Sequence, residues 1–199
     1  QYSLNYIPIS SICADNLVDE RIADKEFLFS NLIPICEGAL KNGVPRITIP
    51  LLEDSSVEDD EKRDTFSKLI SELAFKYLNL KFSFEAELEP KKLLEILNKM
   101  PNFFVTYDTG NITSCGFDHK EYVNLLSKHI DNVHLKDRTY DAKTVEPFTG
   151  DTDFKLIFQL LNEIGYNGPY TMQTARGAEG KEYETIMRHK EIFEGVFNE

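Results

Sequence analysis

The stretch "VTYDTGNITS", Val105 to Ser114, decides how the rest of the chain is read. A short apolar run, Phe103-Phe104-Val105, ends in Asp108 and passes at once into Thr109-Gly110-Asn111. Apolar runs of this length bounded by a glycine turn read as buried strands. A carboxylate at such a point has two readings. It caps the turn, as aspartates readily do, or it is held at the strand end because a cation or substrate sits there.

Working outward, the same pattern recurs. Short β-rich runs occupy 3–10, 46–52, 81–85, 103–108, 132–136 and 170–173. Helical patterns separate them. Phe66, Leu69, Ile70, Leu73, Ala74 and Tyr77 recur at three- and four-residue spacing, as do Ile157, Phe158, Leu160, Leu161 and Ile164 between Asp153 and Gly165. Pro90 opens one helix and Asp118 caps another. Leu28, Leu32, Cys36, Ala39 and Leu40 form a stripe ending at Gly43, and Pro34 places the regular start of that helix near Ser30. Six strands alternating with helices predict an α/β fold with a mainly parallel sheet, either doubly wound or a (β/α) barrel. No Gly-rich phosphate loop is present, which argues against a nucleotide fold. No linker interrupts residues 1–199, so one domain is expected.

Composition narrows the function classes. The 199 residues hold 41% hydrophobic residues, enough for a sizeable core, and no apolar run nears the roughly 20 residues that span a bilayer. The net charge of −12 repels nucleic acid and anionic lipid, so neither is an expected partner. Cys13, Cys36 and Cys115 are odd in number and lack CxxC spacing, and no signal peptide is visible at Gln1-Tyr2. Reduced thiols and a cytoplasmic location follow as expectations. Cys13 and Cys115 are expected to pack as small apolar groups, and His119 and His189 to lie at the surface.

The strand ends carry the chemistry. "KFSFE" delivers Glu85, "FFVTYD" Asp108, "NVHLKD" His134 and Lys136, and "YTMQTAR" Gln173 and Arg176. In parallel α/β folds such ends gather on one face. Glutamate, aspartate and histidine together suit Mn²⁺, Co²⁺, Zn²⁺ or Mg²⁺. Moving a proton beside a carbonyl needs a cation to stabilise the enediolate and a carboxylate as base.

From "SSICA" through "IPLL", "FEAELEP", "YDTGN", "VHLKDR" and "GDTDF", the chain resembles the xylose-isomerase-like TIM barrels, a group of sugar and sugar-phosphate isomerases and epimerases that includes an endonuclease. The resemblance implies a (β/α) TIM-barrel-type domain over 1–199 that lacks about two N-terminal β/α units. It implies one divalent metal held by Glu85, Asp108, His134 and Gln173, with Glu85 also the base. It places Lys136 in catalysis and Lys136, Arg138 and Arg176 against the substrate.

Gln173 stands where that family has glutamate, which disfavours epimerisation by two carboxylates and leaves a single-base isomerisation. The implied activity is isomerisation or epimerisation of a sugar or sugar phosphate. A non-catalytic barrel serving as a binding protein and a metal-dependent phosphodiesterase are the alternatives. A homodimer is a weaker expectation.

Overall fold

The strand β2 (Arg46–Leu51) is buried along its whole length, as is β5 (Ile130–Leu135). Strands covered on both faces belong in the middle of a parallel sheet with helices on either side. The computed structural model, which describes residues 8–197, places both strands within a parallel sheet. Its six-stranded sheet runs β1 (Ile12–Cys13), β2, β3 (Lys81–Ala86), β4 (Phe103–Asp108), β5 and β8 (Tyr170–Met172). A separate antiparallel ladder joins β6 (Asp137–Arg138) to β7 (Thr144–Val145). Packing divides the chain into two compact units. One takes the chain up to Thr106 together with Lys128–Asp131; the other takes Tyr107–Ser127 and the chain from Asn132.

In the first unit β1, β2, β3 and the start of β4 pair in parallel, with Ile12 opposite Ile47, Phe84 opposite Ile49 and Phe82 opposite Phe103. The expected strand at 3–10 is a correction: residues 3–7 lie outside the described part, and 8–10 are not strand. Pro8 has no N–H for a ladder, and pairing begins only at Ile12. Helix α1 (Lys25–Lys41) begins five residues before the expected Ser30, because Asp24 accepts the Phe27 N–H at 2.8 Å. Pro34 lies inside it; the buried Leu28, Leu32, Cys36 and Ala39 hold the helix against the core despite the lost hydrogen bond. Helix α2 (Asp60–Ala74), capped by Asp59, buries Phe66, Ile70 and Leu73, and α3 (Pro90–Leu97) starts on its proline. Edge-to-face contacts run from Phe66 to Phe84 and on to Phe103.

The amino ends of these strands hold a buried polar cluster. The Arg46 Nε donates to Asp131 Oδ2 at 2.9 Å and its second nitrogen to the Asp131 carbonyl at 2.7 Å. Ser83 Oγ donates to Asp131 Oδ1 at 2.9 Å and lies 2.8 Å from the Thr106 hydroxyl.

In the second unit β5 and β8 pair in parallel, Val133 opposite Tyr170 and Leu135 opposite Met172. Four helices accompany them: α4 (Thr109–Ser114), α5 (His119–Leu126), α6 (Phe154–Glu163) and α7 (Glu182–Phe197). Asp118 and Asp153 cap α5 and α6 as expected, and Gly165 leaves α6 at a φ of +68°. Helices α4 and α7 and the β6–β7 ladder are additions to the sequence reading. Two histidines and a cysteine are corrections. His189 is fully buried, with Nδ1 2.8 Å from the Thr174 hydroxyl, and His119 is largely buried. Cys13 is exposed and its thiol lies 2.9 Å from Asp15 Oδ1, whereas Cys36 is the buried one. Among the described residues no helix is long and apolar enough to cross a membrane.

Candidate metal centre

Asp108 closes β4 and caps the turn that follows it. Its Oδ1 accepts the Asn111 N–H at 2.8 Å and so caps α4. Its Oδ2 lies 2.9 Å from Lys136 Nζ and 3.8 Å from His134 Nδ1. All three side chains are buried. They come from the carboxyl ends of β4 and β5, where a parallel sheet collects its functional groups.

The letters between Asp108 and Lys136 each have a physical task. The Thr109 hydroxyl lies 2.6 Å from the Lys136 carbonyl and accepts the Lys136 N–H at 3.0 Å. Gly110 makes room: a Cβ there would lie 2.8 Å from Lys136 Cγ, a separation real Cβ atoms do not adopt. Its φ is not left-handed, so close approach is what requires glycine here. Asn111 Oδ1 accepts from Lys136 Nζ at 3.3 Å. Thr113 Oγ1 donates to the Thr109 carbonyl at 2.8 Å. The hydroxyl therefore accepts from His119 Nε2, 3.0 Å away, which leaves His119 Nδ1 to accept from the Tyr107 hydroxyl at 2.6 Å. That chain requires a neutral imidazole. Burial lowers the His119 pKa from 6.5 to about 4, and burial also raises that of Tyr107 well above its usual 10.

The remaining predicted residues are placed as follows. Gln173 follows β8 and donates its N–H to the Leu135 carbonyl at 3.1 Å. With Lys136, Thr144 and Arg176 it lines a cavity of about 380 Å³. Arg138 lies in β6, its guanidinium 3.3 Å from the Ser114 hydroxyl, and does not line that cavity. Glu85 is buried near the carboxyl end of β3, opposite Pro50 of β2, in the first unit.

Two residues missed in the sequence matter to this region. Thr109 is one. Asp137 is the other: its Oδ2 accepts the N–H groups of Thr149 at 3.0 Å and Gly150 at 2.9 Å, and Oδ1 that of Thr152 at 3.3 Å. It anchors the "TGDT" loop, and the only sequence signal was an aspartate directly after Lys136 and a glycine turn a dozen residues on.

The donor types fit a divalent cation. A carboxylate and an imidazole suit Zn²⁺, Mn²⁺ or Co²⁺. With bonds of about 2.0–2.2 Å, one ion bridges donors up to roughly 4 Å apart, and Asp108 Oδ2 and His134 Nδ1 lie within that reach.

Comparison with known proteins bears on the fold and the family. No curated protein matches the chain significantly. A xylose isomerase domain protein from Planctomyces limnophilus superposes with a TM-score of 0.65 at 20% identity, over 88% of this chain and 65% of that one. A D-tagatose 3-epimerase-like protein gives 0.71 at 21% identity, over 89% and 73%. The IOLI protein, described with a bound zinc atom, gives 0.70 at 17% identity, over 83% and 67%. The chain thus spans about two thirds of the length of these proteins, and at such identities they speak for the fold alone. The family model for the xylose isomerase-like TIM barrel matches residues 4–191, and the chain belongs to that family.

Proposed function

We propose that this chain is a divalent-metal-dependent isomerase or epimerase of a sugar or sugar phosphate. The observation that carries the proposal is the buried Asp108–His134–Lys136 cluster at the carboxyl ends of two parallel strands in a chain of this family. Glu85, buried near the carboxyl end of β3, is the third donor in this reading. A bound divalent cation would polarise a substrate carbonyl and stabilise negative charge on its oxygen.

The protein's own residues do the rest. Glu85 is the base that removes a proton beside the carbonyl and returns it to the adjacent carbon. Lys136 Nζ donates a hydrogen bond to a substrate oxygen, and Arg176, across the same cavity, holds a hydroxyl or phosphate. Gln173 contributes a neutral carbonyl and cannot be a second base. A single-base proton transfer between neighbouring carbons, as in aldose–ketose isomerisation, therefore fits this donor set better than proton exchange between two carboxylates. The net charge of −12 favours a small substrate over nucleic acid.

The test is elemental analysis of the purified protein beside a Glu85→Ala/Asp108→Ala/His134→Ala triple variant. About one metal per chain, absent in the variant, supports the centre and justifies screening aldose and ketose phosphates for solvent-deuterium incorporation. No metal in the unaltered protein after incubation with Mn²⁺ refutes it and leaves a non-catalytic binding protein, the reading that the neutral Gln173 favours.

A further inference from the structure

We propose that Thr109 is a positioning residue: its side-chain hydroxyl fixes the carboxyl end of β5 against the carboxyl end of β4 and thereby sets the affinity of the Asp108–His134 pair for a divalent cation. The proposal rests on the metal-centre reading above and adds to it a residue that touches neither metal nor substrate.

Thr109 is fully buried and follows Asp108 directly in the chain. Its hydroxyl has one proton and two lone pairs. The proton goes to the Lys136 carbonyl at 2.6 Å, with the His134 carbonyl at 3.2 Å as the second acceptor. A lone pair takes the Lys136 N–H at 3.0 Å. One side chain thus holds the main chain of the residue bearing the ammonium and reaches that of the residue bearing the imidazole. The separations of 2.9 Å from Lys136 Nζ and 3.8 Å from His134 Nδ1 to Asp108 Oδ2 are set through this clamp.

Thr109 is itself held. Its carbonyl accepts the Thr113 hydroxyl at 2.8 Å, and Thr113 is tied through His119 to Tyr107, the residue before Asp108. The clamp therefore has a fixed base on both sides of the ligand. Groups that orient metal ligands commonly govern affinity by about 10–100-fold.

The experiment measures Mn²⁺ binding calorimetrically, well below the melting temperature, for the unaltered chain and for Thr109→Val, Thr109→Ser and Asn102→Ala. Valine keeps the shape and removes the hydroxyl; serine keeps the hydroxyl. Asn102 loses a buried amide, bonded to the Ala74, Tyr77 and Leu80 carbonyls and lying before the amino end of β4, away from Asp108 at its carboxyl end. Thr109→Val is expected to bind Mn²⁺ about 10–100-fold more weakly, with Thr109→Ser close to the unaltered protein. Asn102→Ala is expected to lower the melting temperature without changing affinity.

Equal affinity in Thr109→Val and the unaltered protein overturns the role of Thr109 and leaves the metal centre standing. Equal weakening in Asn102→Ala also overturns it, since the effect would then be one of general stability. An unaltered chain that binds no Mn²⁺ overturns the metal centre and the clamp together. Should Thr109→Val not fold, Thr109→Ala is read in the same way.

Discussion

Replacing Asp131 with alanine should cost more stability than replacing its partner Arg46 with methionine, and the structure gives the reason. The two side chains are 7% and 8% exposed, so both charges have left water. Without the Asp131 carboxylate, the Arg46 guanidinium keeps one fixed acceptor, the carbonyl of residue 131. Stranding a buried charge in this way costs about 3–5 kcal/mol. Without Arg46, the Asp131 carboxylate keeps the Ser83 hydroxyl at 2.9 Å and lies 3.5 Å from Lys81 Nζ, a lysine about half exposed. That loss should be nearer about 2 kcal/mol, the cost of one charged hydrogen bond. Because the second replacement removes the stranded charge, Arg46→Met/Asp131→Ala should be more stable than Asp131→Ala alone, with a coupling of about 1–3 kcal/mol. Urea unfolding followed by far-UV circular dichroism measures all four proteins, read as midpoint shifts at constant slope. Equal costs for the two single variants, or an additive double variant, would refute the asymmetry.

Three further outcomes follow from named contacts. Because burial lowers the His119 pKa to about 4, the unfolded chain takes up a proton between pH 6.5 and 4 that the folded chain refuses. Stability from this group is complete above pH 6.5 and falls by roughly 3 kcal/mol as pH drops to 4; a His119→Phe variant should show a flatter pH dependence of its urea midpoint, and an unchanged slope would count against the neutral imidazole. Gly150→Ala would put a Cβ 2.4 Å from Asp137 Oδ1 and 2.8 Å from Val145 Cγ2, so the loop must move and release Asp137, at about 1–3 kcal/mol by thermal unfolding; a melting temperature equal to the unaltered protein's would contradict this packing. Gln173→Glu adds a charged donor and should tighten Mn²⁺ binding about tenfold or more by calorimetry, whereas no change would remove Gln173 from the donor set.

The strand ends were legible in the sequence because each is an apolar run stopped by a single polar residue, and Asp108, His134 and Lys136 could be named from that pattern. Helix α4 was not, because "TGNITS" contains a glycine and β-branched residues that disfavour helix. It forms because Asp108 caps it and Thr109 and Thr113 bind it to its surroundings. Helix α7 was missed for another reason: Thr185, His189 and Phe193 are buried at four-residue spacing, and a stripe that is two-thirds polar gives no hydrophobic period. Asp131 was hidden just before the expected start of its strand, where a carboxylate reads as solvated loop. Only a partner 85 residues away in the chain, Arg46, makes it part of the core.

Strand β5 carries polar groups at both ends, and the two ends differ in the kind of cation used. At the amino end the cation is arginine, whose planar fork donates to the Asp131 carboxylate and to the carbonyl of the same residue. Such a fork locks both partners in one geometry. At the carboxyl end it is lysine, a compact charge with three rotatable donors, shared between Asp108 Oδ2 at 2.9 Å and Asn111 Oδ1 at 3.3 Å. An ammonium so placed can turn one donor toward an incoming oxygen while keeping another on Asp108. A guanidinium, whose donors are fixed in a planar fork, lacks that freedom. Rigid pairing at one end and an adjustable donor at the other is the division expected when the same strand must both hold the sheet together and present a site.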